Sequence, residues 1–391
     1  MTMKIAALAV LAISLLAACA TVATAPGSDG SEAKDMLLVG HDPLQARSAY
    51  QPLVHKQGDR WIAYLGHHGG VRKNPITGKD EPNGTSIVDV TAPARPRYLT
   101  HIPGAPGEAE AGGASMVRIC EGRELPKADR AKTYLLRTLG KLAHEMWDVT
   151  DPSRPAMITT IVSGLGETHK NWWECSTGIA YLVSDGRPSG WRTERMTKIY
   201  DLSDPVRPRF IRDFGLAGQE PGANPQTKAP AGVHGPISYR NRVYFAYGTG
   251  ANGVLQIVDR DRLLTGDPSS ADRFKPTLES LKFPEIGRLD MAPNWGGHTS
   301  FPVIGLPIGD HVLNLNGRVR DFVVLVSESL RNECQEFRQL TFLVDITTPS
   351  KPSSRCRRSR CRSHPEISAV AADASARTRR TSRSTRRTTA S

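Results

Sequence analysis

The sequence predicts an all-β fold, a β-propeller built of four-stranded blades, and three observations carry that reading. One strand-turn-strand formula recurs five times along the chain. A second strand-like run precedes each copy, and 28 prolines with 35 glycines among 391 residues supply the turns that many short strands require.

The formula is clearest in three copies: SIVDVTAPARPRYLTH from Ser86, MWDVTDPSRPAMITT from Met146 and IYDLSDPVRPRFIR from Ile199. LQIVDRDRLLTGDP from Leu255 and TFLVDITTPSKP from Thr341 are looser copies. Asp89, Asp148, Asp201, Asp259 and Asp345 mark the repeat, at steps of 59, 53, 58 and 86 residues, and a β-rich period above about forty residues is the mark of a propeller blade. The chemistry is local. The strand ends at an Asp whose carboxylate accepts backbone N–H groups just downstream, and Ser or Thr does so more weakly. Two prolines then fix φ and remove ladder donors, so the chain turns before an outer strand begins. These are strands three and four of a blade, and the Asp and Pro residues are structural.

The earlier halves are Arg60–Gly66, Thr133–Arg137, Ile179–Ser184, Arg242–Gly248 and Asp321–Ser327, rich in β-branched and aromatic residues as second strands are. The expected blades span 50–103, 104–163, 164–216, 217–289 and 290–360. Met36 to Val39 reads as an additional short strand able to close the ring on the last blade. Trp172 and Trp173 read as packing residues.

The two ends differ from this body. Lys4 followed by an apolar run from Ile5 to Leu16 and then Ala17-Ala18-Cys19 reads as a lipoprotein-type signal peptide, with Cys19 as the lipidated residue. An ordinary cleaved signal is the other reading. Residues 20–35 would be a flexible tether, and the propeller would run over 36–351. A lipid on Cys19 implies an extracytoplasmic protein of the bacterial cell envelope, membrane-anchored as a periplasmic or surface lipoprotein, with the membrane as a partner. The formal charge of +12 belongs mainly to residues 352–391, which hold 11 Arg against Glu366 and Asp373. No nucleic-acid partner is therefore expected for the folded body. The tail has no strand alternation and reads either as a disordered basic arm or as a reading-frame error. The neighbouring frame of Ile367 to Thr381 can spell NFCGRRRRFGAHASN, which would put a His at the position of Thr378.

Several longer motifs accompany the formula: GHHGG at Gly66, THKNWWEC at Thr168, HGPIS at His234 and NEC at Asn332. Together, and in this order, they resemble the bacterial LVIVD-repeat proteins over roughly residues 36–351. The resemblance implies a secreted or lipid-anchored β-propeller of uncharacterised biochemical role, with six or seven blades in intact relatives. The tail departs from that pattern.

Candidate chemistry lies in the first strands. His169, His234 and His298 occupy the same place in three successive blades, at steps of 65 and 64 residues, and blade two has Ala114 there. Equivalent first-strand positions surround the channel, so imidazoles distant in sequence converge, and neutral imidazole is the commonest metal ligand. Two readings are open: a transition-metal site for Zn, Fe or Cu, or imidazoles that cap channel strands by bonding a neighbour's backbone. His67 and His68, in what reads as a Gly-rich loop, and Glu167 and Glu174, flanking His169, are ligand-contact or general-base candidates. No phosphate-cradling Gly loop, nucleophile elbow or CxxC zinc pair occurs.

Cys120 and Cys175, in adjoining blades, are candidates for a disulfide, while Cys334 sits in the insert of blade five and Cys356 and Cys361 lie in the tail. The expectation for function is an extracytoplasmic binding or interaction module for a protein or small-molecule ligand. The alternative is a metal-dependent oxidoreductase or hydrolase with its His cluster on the axis.

Overall fold

The computed structural model describes residues 34–248, 252–309, 317–329 and 339–352. The expected signal segment with Cys19, most of the expected tether, Cys334 and the basic tail with Cys356, Cys361 and Thr378 lie outside the described residues.

The chain is a β-propeller with five blades among the described residues. Blade one comprises β1 (Tyr50–Gln57) and β2 (Arg60–Gly69), then a hairpin of β3 (Val71–Lys73) and β4 (Asp80–Pro82), then β5 (Thr85–Asp89) and β6 (Arg97–Ile102). After it, β7 (Ala109–Ala114) pairs with the end of β2. Blade two is β8 (Val117–Glu121), β9 (Thr133–Leu139), β10 (Ala143–Asp148) and β11 (Ala156–Val162). Blade three is β12 (Thr168–Trp173), β13 (Ile179–Ser184), β14 (Met196–Asp201) and β15 (Arg209–Phe214). Blade four is β16 (Val233–Tyr239), β17 (Arg242–Tyr247), β18 (Val254–Asp259) and β19 (Glu285–Asp290). Blade five has three described strands, β20 (Gly296–Pro307), β21 (Val319–Glu328) and β22 (Thr341–Asp345). All pairings within blades are antiparallel, in the sequential order that the repeat predicts.

Why the second strands read as unbroken apolar runs is clear from the packing. On β17, Val243, Phe245 and Tyr247 face blade three, while Tyr244 and Ala246 face blade five. On β13, Tyr181 and Val183 face blade four, and Ala180 and Leu182 face blade two. A strand buried on both faces needs apolar residues at every position, and the inter-blade cores are the main hydrophobic store of the fold. The second face of blade five is different: Phe301 and Leu343 are 55% and 53% exposed there. The corresponding face of blade one is a small cluster of Ala63 and Val88 under Leu44.

The formula works as its chemistry predicts. Asp89 accepts from the Thr91 amide at 3.0 Å, Asp148 from Thr150 at 2.9 Å, Asp201 from Ser203 at 2.9 Å and Asp345 from Thr347 at 3.0 Å. The other carboxylate oxygen takes a basic partner, Arg97, Lys132, Arg209 or Arg320. Burial alone would raise the carboxyls of Asp89, Asp148 and Asp201, but these turn bonds and basic partners hold each below its ordinary value. Asp201→Ala is expected to cost about 1–2 kcal/mol of stability in urea unfolding, with Asp201→Asn recovering most of it, because the amide oxygen still accepts the turn N–H. Equal losses in the two variants would contradict this account.

Three expectations are corrected. Met36 to Val39 forms no strand; the four residues are 57–80% exposed. The fourth copy makes no Pro turn, since Asp259 accepts from the Arg262 amide as the N-cap of α1 (Arg260–Thr265), and α2 (Leu278–Lys282) follows before β19. GHHGG is not a loop: its first four residues, Gly66 to Gly69, end β2, and His67 to Gly69 are held in the ladder by β7. That crossing requires glycine: Gly113 has φ +77°, and a Cβ there would lie 2.2 Å from the His67 carbonyl oxygen.

Candidate metal centre on the propeller axis

Four of the five first strands have an irregularity near their inner end. Pairing slips between Tyr50 and Leu53 on β1, Thr168 and Asn171 on β12, Val233 and Gly235 on β16, and Gly297 and Thr299 on β20. His169, His234 and His298 lie inside three of these breaks and Gln51 inside the fourth. A β-bulge turns a side chain out of the regular alternation, and here the bulges aim imidazoles from three blades at one point. In blade two, β8 pairs with β9 in regular register, and Ala114 pairs with His67 across the blade boundary.

The imidazoles form a chain of contacts, His169 to His234 and His234 to His298. The Nε2 atoms of His169 and His234 are 2.9 Å apart, and the His234 and His298 rings lie 3.7 Å apart at 32°. Glu328, at the end of β21, brings a carboxylate oxygen 3.7 Å from His298 Nε2. Ligand atoms of His234, His298 and Glu328 all lie within 4.8 Å of one another. Thr299 Oγ1 sits 2.8 Å from His298 Nδ1 and orients that ring, leaving Nε2 toward the cluster. His169 and His234 are buried and His298 is partly so.

Burial, then Arg195, Lys170 and the neighbouring imidazoles, push His169 down to about 2. His234 is lowered further by burial and by His169 and His298, and His298 falls to about 4, chiefly by burial. All three are therefore neutral at ordinary pH, with a lone pair on each ring, which is the ligating form. Lys170 lies beside the cluster, its Nζ donating to Tyr50 Oη at 2.5 Å and resting 4.2 Å from the centre of that ring. Burial, reinforced by Arg118, lowers it to about 7, and burial raises Tyr50 to about 12.

The other candidates have structural partners. His67 is buried, with Nδ1 2.5 Å from the Ser48 carbonyl and Nε2 2.7 Å from Ser86 Oγ, which reaches on to His101. His68 stacks at 4.5 Å on Tyr50 and has a buried Nε2 without a partner. Glu167 is held by Lys141 at 2.7 Å and Arg195 at 3.0 Å, away from a general-base role. Glu174 lies at the far end of the first strand, where it clamps Arg260 of blade four at 2.6 Å. Burial would raise its carboxyl, but Arg260 and Thr177 hold it below its ordinary value. Trp173 is core and Trp172 donates to Ser238 Oγ at 2.8 Å. Cys120 and Cys175 are joined by a disulfide between blades two and three.

Two imidazole nitrogens bound to one tetrahedral ion at about 2.0–2.1 Å would stand roughly 3.3 Å apart. The observed 2.9 Å between His169 and His234 is a few tenths of an ångström from that spacing. A set of two or three imidazoles with one carboxylate suits Zn, Fe or Cu, and such a set leaves positions for water or substrate. Glu328 was not among the residues the sequence singled out. Its register is the clue, for it pairs with Gly296, two residues before His298.

No protein-family model matches the chain, and a search of curated proteins finds no match. Among solved structures, the chain is similar to an exo-beta-1,3-galactanase from Clostridium thermocellum, at 9% identity and a TM-score of 0.37, covering 78% of this chain and 61% of that one. It is also similar to a prolyl endopeptidase at 11% identity and a TM-score of 0.39, covering 78% of this chain and 34% of that one. A third is the periplasmic gluconolactonase PpgL from Pseudomonas aeruginosa, at 12% identity and a TM-score of 0.37, covering 78% and 87%. The chain thus spans less than two thirds of the first two. At such identities and TM-scores these likenesses carry no argument about chemistry, and the site must be read from its own residues.

Proposed function

We propose that this chain is an LVIVD-repeat β-propeller, lipid-anchored at Cys19 on the extracytoplasmic side of a bacterial envelope, and that it is a metal-dependent enzyme of the hydrolase or oxidoreductase type. His169, His234 and His298 hold the transition metal, with Glu328 as a further ligand. The metal supplies Lewis-acid or redox chemistry when bound; the residues orient it at the hub and exclude bulk water from its buried side.

One observation carries this reading: three neutral imidazoles from successive blades turn toward each other and not toward backbone carbonyls. His67, His101 and His144 show what strand-capping imidazoles look like in this fold, each bonded to a carbonyl, of Ser48, Pro82 and Val183 respectively. Among the described contacts of the axial three, none is to a backbone carbonyl. The Cys120–Cys175 bond supports an oxidising compartment.

Metal analysis of purified protein by inductively coupled plasma mass spectrometry is expected to find about one transition-metal ion per chain. The combined His169→Ala, His234→Ala and His298→Ala variant should carry none while keeping the wild-type far-ultraviolet circular dichroism. Retention of metal by the folded variant, or a metal-free wild type after growth and reconstitution with Zn, Fe and Cu, would leave a metal-independent binding module as the better description.

A further inference from the structure

Next to the imidazoles is a cavity of about 50 Å³, lined among others by Arg118, Lys170, Asn171, Ile237, His298 and Ser300. Its polar walls are under-satisfied. Arg118 donates to its neighbour's carbonyl, Val117, at 3.1 Å and lies over the Trp172 ring, but its buried Nε has no partner. Asn171 and Ser300 are 0% exposed, and both amide atoms of Asn171 and the Ser300 hydroxyl lack a partner. Lys170 is 6% exposed and, among the described residues, bonds only the Tyr50 hydroxyl.

Among the described residues, no carboxylate lies within ion-pair distance of Arg118 or Lys170. Glu110 and Glu328 act on Lys170 from farther away, and no charged group offsets the burial of Arg118. Buried cations are as a rule paired, and buried amides and hydroxyls bonded. Two basic side chains and two unpartnered polar side chains around one small cavity form a lining complementary to an anion.

We propose that this cavity binds a short monocarboxylate, with Arg118 and Lys170 gripping the carboxylate, Asn171 and Ser300 donating to it, and the alkyl end against Pro236 and Ile237. A planar carboxylate matches the guanidinium fork. The apolar wall formed by Pro236 and Ile237 suits a carbon substituent better than the fourth oxygen of a tetrahedral anion. The volume holds on the order of four heavy atoms, since one water needs about 10–15 Å³ of such space. A carboxylate seated there lies against His234 and His298, which line the same cavity. The assignment goes beyond the metal reading and does not depend on it, because the gripping groups are the protein's own.

The test is isothermal titration calorimetry of the full chain in EDTA, with sodium acetate, sodium phosphate and sodium chloride at matched ionic strength. Saturable acetate binding is expected, with Kd raised at least tenfold in Lys170→Met and in Arg118→Gln. Lys170→Met should melt no lower than wild type, since Met fills the stem's volume and removes a buried unpaired ammonium; it decides the matter alone if Arg118→Gln fails to fold. Absence of acetate binding, or unchanged affinity in the variants, overturns the site. Phosphate bound in place of acetate overturns the carboxylate class, and binding that appears only when metal is restored places the anion on the metal instead.

Discussion

Replacing Cys120 and Cys175 together with Ser is expected to lower the free energy of unfolding by about 4 kcal/mol, a large part of the roughly 5–15 kcal/mol that holds a domain together. The bond closes a loop of 55 residues, and a cross-link of that span removes much of the freedom of the unfolded chain. It also sits in the right place to matter, for Cys120 is fully buried in the core that joins blades two and three, beside Tyr134, Leu136 and Tyr200. Reduction with dithiothreitol should produce the same shift in the urea midpoint as the double substitution. A reduced protein within 1 kcal/mol of the oxidised one would mean that the blade interface, not the cross-link, carries the stability.

The repeat was legible because its signal is local and chemical. An Asp that caps the backbone after its strand leaves the same letter at each third strand, with turn prolines after it in four of the five copies, and five such strands end at those aspartates. The convergence of His169, His234 and His298 was legible for a related reason: residues at one place in successive blades surround one axis. What was not legible depends on contacts between blades. GHHGG looks like a loop because nothing nearby in sequence shows that β7 will lie against it; the close approach of the Ser115 and Gly107 carbonyls to Gly66 and Gly69 explains those glycines. Glu328 stands 30 residues beyond His298 on another strand, and Lys170 and Arg118 look like ordinary surface charges until burial removes their solvent. Pairing of Glu174 with Arg260 likewise belongs to the packing of two blades, and no spacing announces it.

The second large effect is acid lability, which follows from imidazoles that have no part in the metal reading. Burial lowers His67, His101 and His144 each to about 4 from an ordinary 6.5. His67 faces Arg47 and His68, and His101 faces Arg47, His67 and Glu81, while among the described residues His144 meets the Val183 carbonyl and Ser184. In each case the folded value lies below the unfolded one, so the unfolded chain binds more protons throughout the interval. Stability is then complete above pH 6.5 and falls as the pH drops toward 4, by about 1.4 kcal/mol per pH unit for each group. Three groups give a loss on the order of 5 kcal/mol between pH 6.5 and 5, before the carboxylates with lowered values begin to protonate. Urea unfolding at pH 8, 6.5, 5.5 and 5 should show that decline, and His144→Leu should flatten it by the contribution of one proton, since its imidazole is 0% exposed. A free energy of unfolding that stays level across this range would show that the buried imidazoles take up protons without opening the blades.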